Sequence, residues 1–225
     1  EVRQNAAEAY LDRVEAERAW ARKSIGAFGV FMSSSTDPFV SQERKFGVTK
    51  SILNAMVISS PDLLILQTHS HKVVSYLDLI QSLDQLCDLR VHISIETDRA
   101  SVPGLPSHGS PVTDRFASAR RLKEAGIWVV VTVSPLMPIE DPDRFFDRIA
   151  ECADAVVIDH FIEGDGSKDG QRTLKTGLPK AIREIDPEAT SLVYRDKIVD
   201  IAQRCLPGKV GVSIDGFAGR YGRGV

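Results

Sequence analysis

The sequence predicts an α/β protein built on one parallel sheet, and three observations carry that expectation. Short apolar runs recur at 27–33, 62–67, 90–96, 127–134 and 154–160, with helical patterns between them at about 42–57, 72–86, 111–125 and 141–152. Strand-then-helix alternation implies βαβ units, whose crossovers make neighbouring strands parallel. Second, in RVHISIETD (90–98) the apolar Val91, Ile93 and Ile95 alternate with His92, Ser94 and Glu96; Thr132 and Ser134 line up in the same way beside Val129, Val131 and Val133. A sheet covered by helices on both faces would be apolar on both. Polar residues on one face of two strands point instead to the lumen of a complete or partial (β/α) barrel. Third, polar clusters stand at the C-terminal ends of five consecutive runs.

The elements follow in order. EVRQNAAEAYLDRVEAERAW opens the chain as a charged amphipathic helix, unlike a signal peptide. Pro111 suits the first turn of the helix at 111–125, and Gly126 suits its stop. Asp141-Pro142 marks another helix start of that kind. After Phe161 the rhythm changes. EGDGSKDGQRT is a Gly- and Asp-rich loop, followed by helical patterns at about 172–185 and 193–205 and a last strand, KVGVSID. The tail GFAGRYGRGV lacks the strand–helix context of a phosphate loop. The expected organisation is one domain over 1–225, barrel-like to about 165, with a C-terminal helical extension and last strand from about 166.

Bulk properties exclude several classes. Hydrophobic residues make up 43% and charged residues 26% of 225, ordinary for a chain with a sizeable core. A formal net charge of -3 gives no electrostatic reason to expect DNA or an anionic membrane as partner. No apolar run approaches the roughly 18 residues of a membrane span. Cys87, Cys152 and Cys205 are widely scattered, which argues against a disulfide framework or a closely spaced metal motif and fits a reducing, cytoplasmic setting. The chain opens on Glu1 rather than Met, consistent with a piece of a longer polypeptide.

The five strand-end clusters are SSSTD (33–37), QTHSH (67–71), SIETD (94–98), TVSP (132–135) and IDH (158–160). Singly, each has an ordinary reading as a helix cap or turn. Together they lie on the edge where parallel α/β proteins bind ligands. One chemistry open to them is a divalent metal on His69, His71, Glu96, Asp159 and His160, although no HExxH-type spacing supports it. The other is a ligand with an amine, a carboxylate, a ribose and an adenine, met by successive strands.

STDPF with QERKFGVTKSILNAM, then LILQTHSHKVVSYLDLI and HISIETDRASVPGLPSHGSPVTDRFASARRLKEAGIWVVVTVSPLMPI, resembles the radical S-adenosylmethionine proteins of the spore photoproduct lyase-like family. The resemblance covers roughly 26–165, with order and spacing kept. It implies a partial (β/α)6 TIM-like barrel holding S-adenosylmethionine across its strand tops. Thr36 and Asp37 would then meet the methionine amine, and Ser94 and Glu96 the ribose hydroxyls. Ser134 and Leu136 would lie near the adenine. Where relatives place a lysine for the methionine carboxylate this chain has His69, with Lys72 or Arg115 as substitutes. His92, deeper, is expected to pack and hydrogen-bond within the core.

The family's chemistry also requires a 4Fe–4S cluster on a CxxxCxxC loop, which this sequence lacks. The expectation is a chain that starts after the first strand and cluster loop, so that cluster ligands would lie upstream. An electron donor such as flavodoxin or ferredoxin would serve the catalytic protein. Ser34 stands where the lyase proper has a hydrogen-donating cysteine, and the basic DNA-engaging hairpin is reduced, so DNA repair is disfavoured and the substrate is left unknown. The leading expectation is the S-adenosylmethionine-binding barrel portion of a lyase-like radical enzyme, its catalytic residues unassigned. The alternative is a cluster-less binding or scaffold protein on the same fold, and a distant third is a metal-dependent hydrolase.

Overall fold

Six parallel strands form one sheet in the order β1-β2-β3-β4-β5-β6, each hydrogen-bonded to the next in sequence. The computed structural model describes residues 4–33 and 36–221. The strands are β1 (Gly29–Met32), β2 (Leu63–Thr68), β3 (Asp88–Ser94), β4 (Val129–Val133), β5 (Ala155–Ile158) and β6 (Val210–Val212). Among the described residues β1 and β6 do not pair with each other, so the sheet is open, not a closed barrel.

The helices return the chain between strands. They are α1 (Ala6–Ile25), α2 (Glu43–Phe46), α3 (Val48–Ile58), α4 (Leu77–Asp84), α5 (Val112–Glu124), α6 (Pro142–Cys152), α7 (Phe161–Gly164), α8 (Leu178–Ile185), α9 (Leu192–Cys205) and α10 (Ser213–Phe217). Local chemistry sets their ends. The Asp141 side chain accepts the Arg144 N–H at 3.1 Å with Pro142 opening α6, and the Ser191 hydroxyl accepts the Tyr194 N–H at the start of α9. Gly126, at φ +87°, takes the left-handed turn that ends α5.

Period-two alternation sorts the strand residues. Leu64, Leu66, Val91, Ile93, Val129, Val131, Val133, Val156 and Ile158 face the helices and join Leu53, Met56, Leu83, Phe116, Leu122, Phe146 and Ile149 in the main core. The opposite, concave face carries Ile65, Gln67, His92, Ser94, Val130, Thr132 and Val157. A smaller apolar cluster closes part of that face, where Val130, Ala155 and Val157 meet Trp128, Phe217 and Tyr221.

Three expected elements are corrected. The helix at 42–57 is broken at Gly47, whose φ of +59° divides α2 from α3. The first part of 72–86 is a 3-10 turn, His71–Tyr76, before α4 begins. The last strand stops at Val212, because Ser213 adopts a positive φ of 46° and the chain turns into α10; Gly211 and Gly216 allow that turn, since a Cβ on Gly211 would stand 2.4 Å from the Gly216 Cα.

Candidate functional site

Because every strand is parallel, the loops after β1 to β5 converge on one sheet edge, and most of the expected site residues meet there. At its centre is a row of alternating charge: Asp37, His69, Glu96, Arg115. The Asp37 carboxylate accepts the Phe39 and His69 backbone N–H groups at 2.8 and 2.7 Å and the Thr68 hydroxyl at 2.8 Å. It clamps the β1 loop onto the end of β2. A carboxylate offers about four acceptor sites, so Asp37 keeps roughly one for anything else.

The His69 ring lies between two carboxylates, Nδ1 3.6 Å from Asp37 Oδ2 and Nε2 2.8 Å from Glu96 Oε1. The second contact is an ion pair by distance, with the ring N–H aimed off the oxygen. Asp37 first and Glu96 second raise the His69 pKa to about 9 against the opposing effect of burial, so the ring is protonated at neutral pH. Burial would raise the Glu96 pKa, but His69 and the Arg115 charge outweigh it and hold the group near 2. Burial likewise opposes the lowering of Asp37, which its contacts with His69, Phe39 and Thr68 overcome.

Arg115 reaches over the top of β3 from the first turn of α5. Its Nη1 donates to the Ser94 carbonyl at 2.5 Å and to Glu96 Oε2 at 2.9 Å. Both side chains are buried, Arg115 at 1% exposure and Glu96 at 4%. Neither would tolerate the interior as a lone charge; paired, they do.

Below this rim, on the concave face, hydroxyls run across three strands. The Gln67 amide donates to Ser94 Oγ at 3.3 Å, and Ser94 Oγ lies 2.9 Å from Thr132 Oγ1. Ser94 and Thr132 are fully buried in this conformation, and Gln67 covers them. On the far side Ser134 donates to Asp159 at 3.0 Å, and burial raises the Asp159 pKa against the Ser213 and Ser134 hydroxyls. The Leu136 side chain is fully buried and its N–H is committed to the Asp159 carbonyl at 2.7 Å.

The expected residues therefore divide. Asp37, His69, Glu96 and Arg115 form one connected row, and Ser94 adjoins it. Ser134 and Leu136 sit around Asp159. Thr36 is exposed, on a groove with Met32, Asp37, Gln42 and Phe46, while Ser34 lies outside the described residues. Gln67, Thr68 and Asp159 emerge as partners that the resemblance did not supply. His92 is corrected: it packs in the interior at 1% exposure, but neither ring nitrogen has a hydrogen-bond partner.

The metal alternative fares poorly in geometry. His71 is tied to Ser110, and His160 is spent on Ile162 N and Ala189 O. Among the described residues no three His, Cys, Asp or Glu side chains converge as ligands. The cysteines do not fit an iron–sulfur cluster at this edge either. Cys87 immediately precedes β3, Cys152 ends α6 before β5, and Cys205 ends α9 before β6. All three stand at the N-terminal edge of the sheet, the side opposite the strand tops. Burial raises the Cys87 and Cys152 thiols to about 11, far from the thiolate form that binds iron.

The chain's architecture is an open six-stranded parallel α/β sheet whose strand-top loops carry a charged rim. Among solved structures it is shared with spore photoproduct lyase. A cysteine-to-alanine mutant of that lyase superposes with a TM-score of 0.61 at 12% identity, and a double mutant with bound AdoMet and dinucleoside spore photoproduct with 0.59 at 12%. The lyase complexed with dinucleoside spore photoproduct gives 0.59 at 13%. Each likeness covers 92% of this chain and 66% of that one, so the chain spans about two thirds of their length. At such identities the likeness establishes the fold. No family profile and no curated protein sequence matches the chain. Among the described residues no helix is long and apolar enough to cross a membrane.

Proposed function

We propose that the strand-top edge binds S-adenosylmethionine, and that the chain is the cofactor-binding barrel portion of a radical S-adenosylmethionine enzyme of lyase-like type. The observation that carries this is the row Asp37–His69–Glu96–Arg115, with hydroxyls beneath it, on a fold whose solved counterpart includes a form with bound AdoMet. The ligand presents an ammonium, a carboxylate and a ribose diol side by side. Protonated His69, its ring about half exposed, offers the cation for the carboxylate. Thr36 and the remaining acceptor site of Asp37 suit the ammonium, and Glu96 keeps lone pairs for a ribose hydroxyl. Ser94 joins once Gln67 swings aside. Ser134 and the Leu136 carbonyl are the groups for the adenine edge.

The cluster that drives radical chemistry finds no ligands among Cys87, Cys152 and Cys205, which stand at the opposite edge of the sheet. That placement favours a second reading, a cluster-less protein that binds the nucleoside without cleaving it. A radical enzyme would draw its cluster ligands from outside these residues and its electrons from a donor such as flavodoxin or ferredoxin. The net charge of -3 disfavours a DNA substrate under either reading.

Titration calorimetry with S-adenosylmethionine tests the site. Binding by the wild type, weakened about tenfold or more in Glu96→Ala and less in Ser94→Ala, is expected from loss of charge-assisted and neutral hydrogen bonds respectively. Equal affinity in wild type and both variants would remove the ribose assignment.

A further inference from the structure

The concave face holds a second, deeper set of polar atoms that the strand-top site does not use. In the β2–β3 register Gln67 stands opposite His92, and in the β3–β4 register Ser94 stands opposite Thr132. Gln67 Oε1 and both nitrogens of His92 are buried with no hydrogen-bond partner. If the Gln67 amide is turned over, its nitrogen is orphaned instead of its oxygen. The Ser94–Thr132 pair adds one more unused group: whichever hydroxyl donates, the other keeps a free hydrogen. A neutral imidazole carries one donor and one acceptor. Four unused hydrogen-bonding valences therefore face one patch across three adjacent strands.

Native interiors leave few such groups, and each calls for a partner. The cover of the patch thins toward one edge of the sheet. Along the concave face exposure falls from 41% at Phe31 on edge strand β1, through 7% at Ile65, to 1% at His92 and 0% at Val130. Gln67 is the part-exposed member. Beyond His92 the face is closed by α10, whose Phe217 ring lies 6.4 Å from the His92 ring at 29°. Ile65 stands opposite Arg90, which is tied to Asp88, and Gln67 is the side chain that must move to admit a ligand.

We propose that Gln67, His92, Ser94 and Thr132 form a binding patch for an uncharged group carrying both a donor and an acceptor, such as an amide or lactam edge. Complementarity fixes the class. The unused valences are of both kinds, so a purely apolar or acceptor-only group leaves some unmet. None of the four side chains is charged, and Arg90, the neighbouring cation on this face, is already paired with Asp88 at 2.7 Å, so a carboxylate, phosphate or ammonium would enter without a free counter-ion. Phe31 and Ile65, where the cover thins, suit an apolar body behind the polar edge. Under the proposed function this patch holds part of the second substrate while the rim holds the charged end of S-adenosylmethionine. Ser94 is common to both, so the two are tested separately.

The test uses wild-type protein labelled with 15N-histidine, following the His92 ring nitrogens by NMR during titration with four small probes. δ-Valerolactam supplies donor and acceptor, tetrahydropyran an acceptor alone, and butyrate and butylammonium the two charges. The expected result is a saturable shift with valerolactam in the millimolar range, about tenfold weaker or absent with the other three. His92→Phe and Gln67→Leu keep the volume and remove the orphaned atoms, so both should fold at least as stably as wild type and lose the lactam response at the neighbouring Ser94 and Thr132 amides. No saturable shift with valerolactam, an equal response to all four probes, or a retained response in both variants would overturn the proposal. So would ordered water that meets all four valences and is not displaced. Titration of the same samples with S-adenosylmethionine reports on the rim independently: retained cofactor binding with no lactam response removes the patch alone, and the converse removes the rim alone.

Discussion

Glu96→Gln tests the central electrostatic claim, because it changes charge and almost nothing else. Glu96 and Arg115 are 4% and 1% exposed and 2.9 Å apart. The amide keeps an acceptor for Arg115 but cancels the charge, leaving a buried guanidinium held by the Ser94 carbonyl and an amide oxygen. Removing one partner of a buried pair costs about 3–5 kcal/mol. The retained acceptor places the expected loss at the low end, about 3 kcal/mol. For a chain of this size that is a fall in Tm of roughly 6–12 °C. Urea unfolding and calorimetry measure it, and a loss below about 1 kcal/mol would refute the pairing.

The same variant has a signature that a merely disruptive mutation would not produce. The His69 pKa of about 9 lies above its unfolded value near 6.5. Protonation of His69 therefore stabilises the fold fully below about pH 6.5, and that contribution is lost as pH rises through about 9. With the ring about half exposed, solvent screening cuts the gain to roughly 1 kcal/mol. In Glu96→Gln the His69 pKa should fall but stay above 6.5, because Asp37, its largest influence, remains. NMR titration of the His69 ring follows this directly, and an unchanged pKa would show that Glu96 does not act on the imidazole.

Three further outcomes are expected. Gly164→Ala should displace the Asp159 carboxylate, since a Cβ there would stand 1.9 Å from Oδ2; a loss of about 1–3 kcal/mol in unfolding experiments is expected, and wild-type stability would argue against that packing. Leu66→Ala, at a fully buried position in the main core, should cost about 2–5 kcal/mol by denaturant titration. Cys87, with its thiol raised to about 11 from 9.0, should react with iodoacetamide at neutral pH roughly tenfold more slowly than an unperturbed thiol, the scarcer thiolate being partly offset by its greater nucleophilicity, and iron and sulfide should form no stoichiometric 4Fe–4S cluster on the three cysteines of this chain.

The sheet was legible because period-two alternation is a local property: Val91, Ile93 and Ile95 needed only their own neighbours to declare a buried face. The strand-top edge was legible too, since parallel crossovers bring every strand end to one side wherever the register falls. The partners were not. Asp37 meets Thr68 and Arg115 meets Glu96 across separations of 31 and 19 residues, set by pairing of strands and by how α5 enters its first turn. Gln67 read as one more polar residue at a strand end. Its place over Ser94 depends on the Gln67–His92 register, which no local pattern encodes. The early stop of β6 was hidden for another reason: serine gives no signal that its φ will be positive.

The rim and the lumen differ in how they satisfy buried polarity, and the difference has a physical basis. At the rim the groups are ions, and an unpaired buried ion costs several kcal/mol, so the Glu96 and Arg115 charges are paired and His69 is flanked on both sides, although Arg115 Nε and Nη2 keep unmet N–H groups. Deeper, at His92 and Gln67, the groups are neutral, and an orphaned neutral donor or acceptor costs only about 1–3 kcal/mol. The fold sustains a few of those without a built-in partner. A ligand that met them would recover that cost on binding, whereas at the rim the charges are already paired and the gain is confined to the unmet Arg115 N–H groups and Glu96 oxygen. On this basis affinity for the neutral end of a ligand should respond strongly to changes at His92 and Gln67. The rim should orient the charged end and set the pH range of binding, with weakening as His69 loses its proton near pH 9. Binding that is flat in pH from about 6 to 10 would break that division of labour.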